Sequence, residues 1–299
     1  MENSAIVISL INAKGGVGKT TISSNMSHIL SCAGYKVLHI DLDPQGSSSE
    51  LIRPRKSNGA YLNKDEVYFL DMFSLLTQPV NVANYIFSTD YENLDVIPNV
   101  RSTRDSFDKG SFDVQMERLK DAGKYTAFFE NINSIRGAYD YIIIDGQPSM
   151  NEIMKVSVIA SDYILSPASA DLFNLTTVAD TCSIIDMCNS QFNRDIEYLG
   201  FFFNRVQDLK DNAYNEVREF YLKRAKEYFI DNPVRFSKSI DKAALNKKLW
   251  LDYATSGFII TFPNPCKDLL RLMYKELQVI DYEHRDILVE KGIKKAYFE

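Results

Sequence analysis

Nine residues, Ala13-Lys14-Gly15-Gly16-Val17-Gly18-Lys19-Thr20-Thr21, lie between an apolar run, Ile6 to Ile11, and an amphipathic stretch from about Lys19 to Cys32. This order of strand, glycine-rich loop and helix constrains the fold more than any other feature of the chain. Glycines let the backbone curl tightly enough to aim several N–H donors at one anion, and the helix N-terminus adds its partial positive charge. The loop is therefore expected to cradle phosphates. Lys19 would reach the β and γ oxygens of a nucleotide, and the Thr20 hydroxyl would hold Mg2+. A plain connecting turn does not call for a Lys-Thr pair in register at the helix start. A dinucleotide fold would use Asp41, about 20 residues beyond the glycines, but it needs a third glycine where this chain carries Lys19, Thr20 and Thr21.

The rest of the chain supports an α/β reading. Short apolar runs recur at Val37 to Ile40, Leu94 to Ile97, Tyr141 to Ile144, Tyr163 to Leu165, Leu199 to Phe203 and Phe258 to Thr261. Runs apolar on both faces and rich in Ile, Val and Phe suit parallel strands covered by helices on both sides. The expected architecture is a doubly wound, mostly parallel sheet with helices on both faces, the P-loop NTPase arrangement. Gly34 is the expected stop of the first helix. The chain of 299 residues is read as one domain, 1–299, with an elaboration at about 51–93 broken by Arg53-Pro54, Asn58-Gly59 and Gln78-Pro79.

Two further carboxylate motifs end apolar runs. Asp41-Leu42-Asp43-Pro44-Gln45-Gly46 falls at the carboxyl edge of the second strand, where ligands bind in open α/β sheets. A carboxylate there can orient a water for in-line attack or hold a metal-bound water, or else cap the following turn. Tyr139 to Pro148 places Asp145 at the end of another buried strand, where a carboxylate can enter the Mg2+ coordination sphere.

Composition excludes several classes. The 34 Lys+Arg against 40 Asp+Glu, a formal charge of -6, argue against a protein coated in basic residues. A local basic face remains open. From Arg205 to Trp250 there are 11 Lys+Arg and 7 Asp+Glu, and Lys242, Lys247 and Lys248 rank as the leading phosphate contacts, ahead of Arg218, Lys223 and Arg224, which are interleaved with glutamates. Cys32, Cys182, Cys188 and Cys266 lack CxxC spacing and accompany three histidines, so neither zinc nor a disulfide framework is indicated. No run approaches the roughly 18 apolar residues that span a bilayer, and the N-terminus lacks a signal peptide's pattern. The expected location is the cytoplasm.

Together these motifs resemble the ParA/Soj family of partition ATPases, in the MinD-like branch of P-loop proteins. Lys14 to Thr21 is similar to that family's deviant Walker A motif, Asp41 to Gly46 to its DxDPQG switch, and Tyr139 to Pro148 to its YDYIIIDxPP segment. The likeness covers most of residues 5 to 280, the first 145 most specifically. It implies that Lys14 reaches across an ATP-sandwich homodimer to the partner's phosphates. Gly15, Gly16, Val17 and Gly18 would cradle phosphate, Lys19 would bind β and γ oxygens, and Thr21 would approach the α-phosphate. Asp43 would position the attacking water, Asp41 would support the switch near the metal, and Asp145 would hold Mg2+ through water. Asn204 matches the position whose amide reads adenine. Pro233 and the Pro263 to Pro265 turn are candidates for the adenine loop. The second switch departs from the family in Gly146-Gln147, which bears on its rigidity.

The resemblance further implies an ATP- and Mg2+-dependent enzyme, slow alone, whose dimer binds double-stranded DNA without sequence preference. A centromere-binding ParB-type partner would stimulate hydrolysis and release, and the protein would associate with the nucleoid. The loop starts too early for a preceding helix-turn-helix domain. The alternative is a membrane-associated positioning ATPase like MinD, which would use the tail Ile287 to Glu299 as an amphipathic anchor. A tyrosine autokinase would need a terminal tyrosine cluster, whereas the 17 tyrosines are dispersed. A nitrogenase-like reductase would need cysteine ligands for a shared cluster.

Overall fold

In a computed structural model, which describes residues 4–63, 72–99, 125–147, 152–255 and 263–298, an eight-stranded sheet forms the centre of the chain. Its strands are β1 (Ile6–Leu10), β2 (Val37–Asp41), β3 (Phe87–Ser88), β4 (Leu94–Ile97), β5 (Tyr141–Asp145), β6 (Tyr163–Ala168), β7 (Glu197–Val206) and β8 (Val234–Arg235). Their order is β3-β4-β2-β5-β1-β6-β7-β8, and every pairing is parallel except β3 with β4 at the edge. The expected doubly wound sheet is therefore present. Strand β7 is ten residues long, twice the predicted run. The run Phe258 to Thr261 lies outside the described residues.

Alternation along the strands divides the core. Ile8 and Leu10 of β1 face one layer with Ile22, Met26 and Ile29 of helix α1 (Lys19–Cys32), while Val7 faces the other with Ile40, Ile142 and Ile144. All of these side chains are fully buried. Period-2 alternation into two apolar layers is what a strand buried on both faces requires. Gly34 ends the α1 connection with φ 105°, the left-handed backbone expected after a helix.

Topology then positions the loop. Because β1 lies between β5 and β6, chains leave it in opposite directions, and the crevice above its carboxyl end is the place where ligands bind in such sheets. The parallel register sets Leu10 beside Asp145 and Asp41 beside Asp145. Both strand-end carboxylates and the start of the glycine loop are therefore neighbours by backbone ladder alone.

Residues of the expected elaboration form the short helix α2 (Ser47–Ile52), helix α3 (Met72–Thr77), a 3-10 turn at Val82–Tyr85 and the edge strand β3. Arg53 lies over the Tyr61 ring at 3.8 Å and Arg55 at 4.2 Å, and both arginines pair with Asp90. The C-terminal elements α4 (Asn264–Arg271) and α5 (Tyr282–Glu290) return to cover α1. Leu288, Ile293 and Phe298 of the tail are buried.

Candidate nucleotide site

Two left-handed glycines shape the loop. Gly16 has φ 75° and Gly18 has φ 93°, and Gly18 immediately precedes α1. A Cβ on Gly18 would also meet the Asn204 amide nitrogen at 2.2 Å. Only glycine meets both conditions. The Asn204 amide donates to the Val17 carbonyl at 2.9 Å, so this residue braces the loop from β7. Asn12, which the motif reading missed, braces it from below. Its Oδ1 accepts the Lys14 N–H at 2.8 Å, and its amide donates to Pro167 O at 2.9 Å. A buried polar residue directly before a glycine loop was the available signal.

Lys19 and Lys14 part company here. Lys19 is buried and folds its ammonium onto Asn12 O at 2.9 Å, inside its own loop. Burial lowers its pKa, against the opposing pull of Asp145 and then Asp43. Lys14 instead turns outward, with 44% of its side chain exposed, and donates to Ser169 Oγ at 2.9 Å and to the Asp171 carboxylate. The same Asp171 accepts from Ser169 and from the Phe173 N–H at 3.0 Å. Ser169 and Asp171 escaped the motif reading because they join the loop from about 155 residues away.

The acidic groups sort by partner. Asp41 is buried, and Ser49 N and Ser49 Oγ donate to its Oδ2 at 2.9 and 2.7 Å, while Asp43 N donates to its Oδ1 at 3.1 Å. Both oxygens are thus spent on holding the turn that leads into α2. Asp43 is half-buried and accepts the Gln45 N–H at 2.9 Å, which leaves its other oxygen toward the cleft that it lines. Asp145 differs from both. Its two oxygens are buried without a hydrogen-bond partner, although the Thr20 and Ser23 hydroxyls stand near enough to favour its charge weakly. Burial first, and the neighbouring Asp41 second, push its pKa up, and burial does the same to Asp41.

An orphaned carboxylate next to a threonine hydroxyl is an all-oxygen donor set of the kind a hard dication accepts. Thr20 and Asp145 therefore fit Mg2+, and Asp41 supports them from the next strand.

Gly146 and Gln147 hold the segment after β5 in place. A Cβ on Gly146 would sit 2.9 Å from Leu10 O, so glycine is required where β5 closes against β1. Gln147 is buried and its amide donates to Leu42 O at 3.3 Å, tying this segment to the first switch. Pro148 lies outside the described residues.

A cleft of about 970 Å3 opens over the loop, lined by Gly16, Gly18, Lys19, Thr20, Thr21 and Asp43 on one side and by Arg53, Tyr61 and Asn63 on the other. The elaboration is thus a wall of the site. A smaller cavity of about 100 Å3 continues past Asn204 to Arg235, Phe236, Trp250 and Pro265. Its walls mix the aromatic side chains Phe236 and Trp250 with polar groups. Pro265 lines it and Pro233 does not. Arg205, also missed, lines both spaces and has a left-handed backbone, φ 61°. Strain at a non-glycine residue in a cleft persists where the surroundings impose it.

Of the basic candidates, Lys242 and Lys247 are exposed, and Lys248 is half-buried and pairs with Asp252 at 3.4 Å. Arg218 is held by Asp231 and by Glu219 at 3.4 Å, so it belongs to a solvated helix surface.

The AAA-domain family profile matches residues 5–198. The sporulation initiation inhibitor protein Soj of Bacillus subtilis is 25% identical over 78% of this chain and 87% of its own. An uncharacterised protein of Methanocaldococcus jannaschii is 31% identical over 77% of this chain and 82% of its own. Among solved structures, the ATP complex of Cyanothece McdA superposes with a TM-score of 0.72 at 18% identity, covering 98% of each chain, a likeness of fold.

Proposed function

The chain belongs to the AAA-domain family, among the ParA/Soj-type P-loop ATPases, and from that premise we propose that it is a DNA segregation ATPase whose ATP-bound homodimer is held together through Lys14. One observation carries this reading: Lys14 stands outside its own phosphate cradle, anchored on Ser169 and Asp171 with its side chain 44% exposed. A lysine serving its own nucleotide would turn inward, as Lys19 does. A lysine on the rim is placed to serve a second subunit's nucleotide. The exposed apolar side chains Leu172 and Phe173, directly after Asp171, lie on the same rim and suit burial against that subunit.

The residues then divide the work. Backbone N–H groups of Gly15 to Gly18 hold the phosphates of ATP, Lys19 binds β and γ oxygens, and Thr21 lies toward the α-phosphate. Asn204 and its cavity take the adenine. Thr20, and Asp145 through water, would hold Mg2+, which would supply charge neutralisation at the terminal phosphate. Asp43 orients the attacking water through the oxygen not given to Gln45. Asp41 holds the turn that presents Asp43. Hydrolysis removes a charge shared by two subunits, so it favours their separation. Turnover is slow until a ParB-type partner completes the arrangement.

DNA binds without sequence preference through a basic face that includes Lys242, Lys247 and Lys248. A membrane-anchored reading is less well supported, because Leu288, Ile293 and Phe298, the apolar side chains such an anchor would need, are already buried in the core. Among the described residues no helix is long and apolar enough to cross a membrane.

The deciding experiment is sedimentation with plasmid DNA and with liposomes, under ATP, ADP and no nucleotide, across a salt series. ATP-dependent DNA binding that weakens steeply with salt is the expected result. Pelleting with lipid and never with DNA would overturn the proposal.

A further inference from the structure

A second cavity, of about 460 Å3, is lined by His28 and Cys32 from the C-terminal half of α1. Thr20 and His28 are eight residues apart on that helix, roughly 12 Å by helical rise. The two spaces meet only at Arg53 and Lys247, which line both.

Three properties set this cavity apart from a packing defect. First, its charge is unbalanced. Arg53, Lys247, Lys248 and Lys291 face Asp90 and Asp252. Asp252 pairs with Lys248 at 3.4 Å, and Asp90 is shared by Arg53 and Arg55. Lys247 and Lys291 form no ion pair among the described residues, and Lys291 gives its ammonium to Cys32 O at 2.8 Å. Two cations in one concave wall attract an anion.

Second, His28 in the same wall is 3% exposed, and its Nδ1 has no hydrogen-bond partner. Burial, and secondarily Lys291, push its pKa down to about 3, so the ring is neutral and keeps a spare polar atom. A buried polar atom without a partner costs free energy unless something supplies one. Third, the remaining wall includes an aromatic ring and three aliphatic side chains. The Tyr91 ring lies against His28 with centroids 4.2 Å apart and planes tilted by 48°, and Leu251, Leu288 and Ile293 close the floor. The volume falls within the ~300–1,000 Å3 of small-molecule sites and far exceeds what a bare phosphate fills.

We propose that this cavity is a second ligand site, for a nucleoside monophosphate, with the phosphate on Lys247 and Lys291 and the base against Tyr91 and the apolar floor. The site uses neither the glycine loop nor the strand-end carboxylates, and of its two phosphate contacts only Lys247 belongs also to the proposed DNA face, so Lys291 and Tyr91 are the residues that distinguish it from that reading. Its ligand reports to the ATP cleft through Arg53 and Lys247. The same phosphate-ester chemistry also exists in a DNA backbone, so the test separates the two sources.

Calorimetric titration of the protein, preloaded with a non-hydrolysable ATP analogue and Mg2+, uses AMP, inorganic phosphate and a short DNA duplex as separate probes. The titrations are repeated on Lys19→Ala, in which the glycine loop is disabled. The expected result is one AMP per chain in both proteins, at least tenfold weaker in Lys247→Ala and in Lys291→Met. Tyr91→Leu should weaken AMP tenfold while leaving phosphate binding unchanged. Lys247 is exposed, so its variant tests the site even where Lys291→Met melts early. Absence of saturable AMP binding, phosphate binding as tight as AMP, or loss of DNA binding alone in Lys291→Met would each overturn the proposal. Failure of the ATP analogue to bind would count against the nucleotide reading of the loop and leave the Lys19→Ala titration to decide this site.

Discussion

At the scale of single residues, the arrangement turns on how two lysines five positions apart are deployed. Lys19 is enclosed by its loop, while Lys14 is tethered to Asp171 on the rim. Reaching a second subunit's phosphate therefore means exchanging one anion for another. Lys14→Ala should retain ATP binding and lose ATP-dependent dimerisation; a normal ATP-induced dimer by light scattering would remove Lys14 from that role. Asp171→Ala should shift dimerisation the other way, to lower ATP concentration, because the competing carboxylate is gone. Asp43 carries a separate prediction. Asp43→Ala should keep the ATP-bound dimer and reduce stimulated turnover at least 100-fold, within the range for loss of a positioned acid–base group; unchanged turnover with the stimulating partner present would exclude it. The lysines, Thr20 and the glycines were legible in the sequence because their chemistry is local and their spacing is contiguous. Ser169, Asp171 and Arg205 were not, because nothing in a linear motif shows that the ends of β6 and β7 deliver side chains to the loop.

At the scale of elements, the adjacency of β2 and β5 sets two carboxylates side by side in a buried layer. The sequence identified both as strand-end acids, but their mutual register follows from strand order, which short apolar runs do not encode. Burial and proximity raise the pKa of Asp145 and Asp41 above the ordinary value of about 4. The folded state then binds more protons than the unfolded chain, so stability is highest below the raised values and falls as pH rises through them. Without nucleotide and metal, the melting temperature should drop between pH 5 and pH 8. Asp145→Asn should flatten that slope, and Mg2+ with ATP should reverse it by giving the ionised carboxylate a partner. A slope unchanged in Asp145→Asn, measured by thermal denaturation across the same range, would contradict this assignment. The departure at Gly146-Gln147 also finds its reason in the elements. Glycine is demanded by the closeness of β1, and the glutamine replaces a rigid turn with a side-chain strut to Leu42.

At the scale of the whole molecule, the parallel sheet with its central β1 was the expected architecture, since runs of Ile, Val and Phe without alternation report burial on both faces. The role of residues 47–63 as a wall of the cleft was less accessible, because a polar, irregular segment gives no periodicity from which to infer its neighbours. Charge also organises at this scale. With an overall charge of -6, DNA attraction has to come from a patch, so Lys242→Ala and Lys247→Ala together should reduce the slope of log affinity against log salt by about two. An unaltered slope would move the DNA face elsewhere. The link from Gln147 to Leu42 has a last consequence. A push on either acidic turn drags its counterpart along through one amide, so an activator gripping the outer turn reaches the inner one by leverage, without having to touch the fuel.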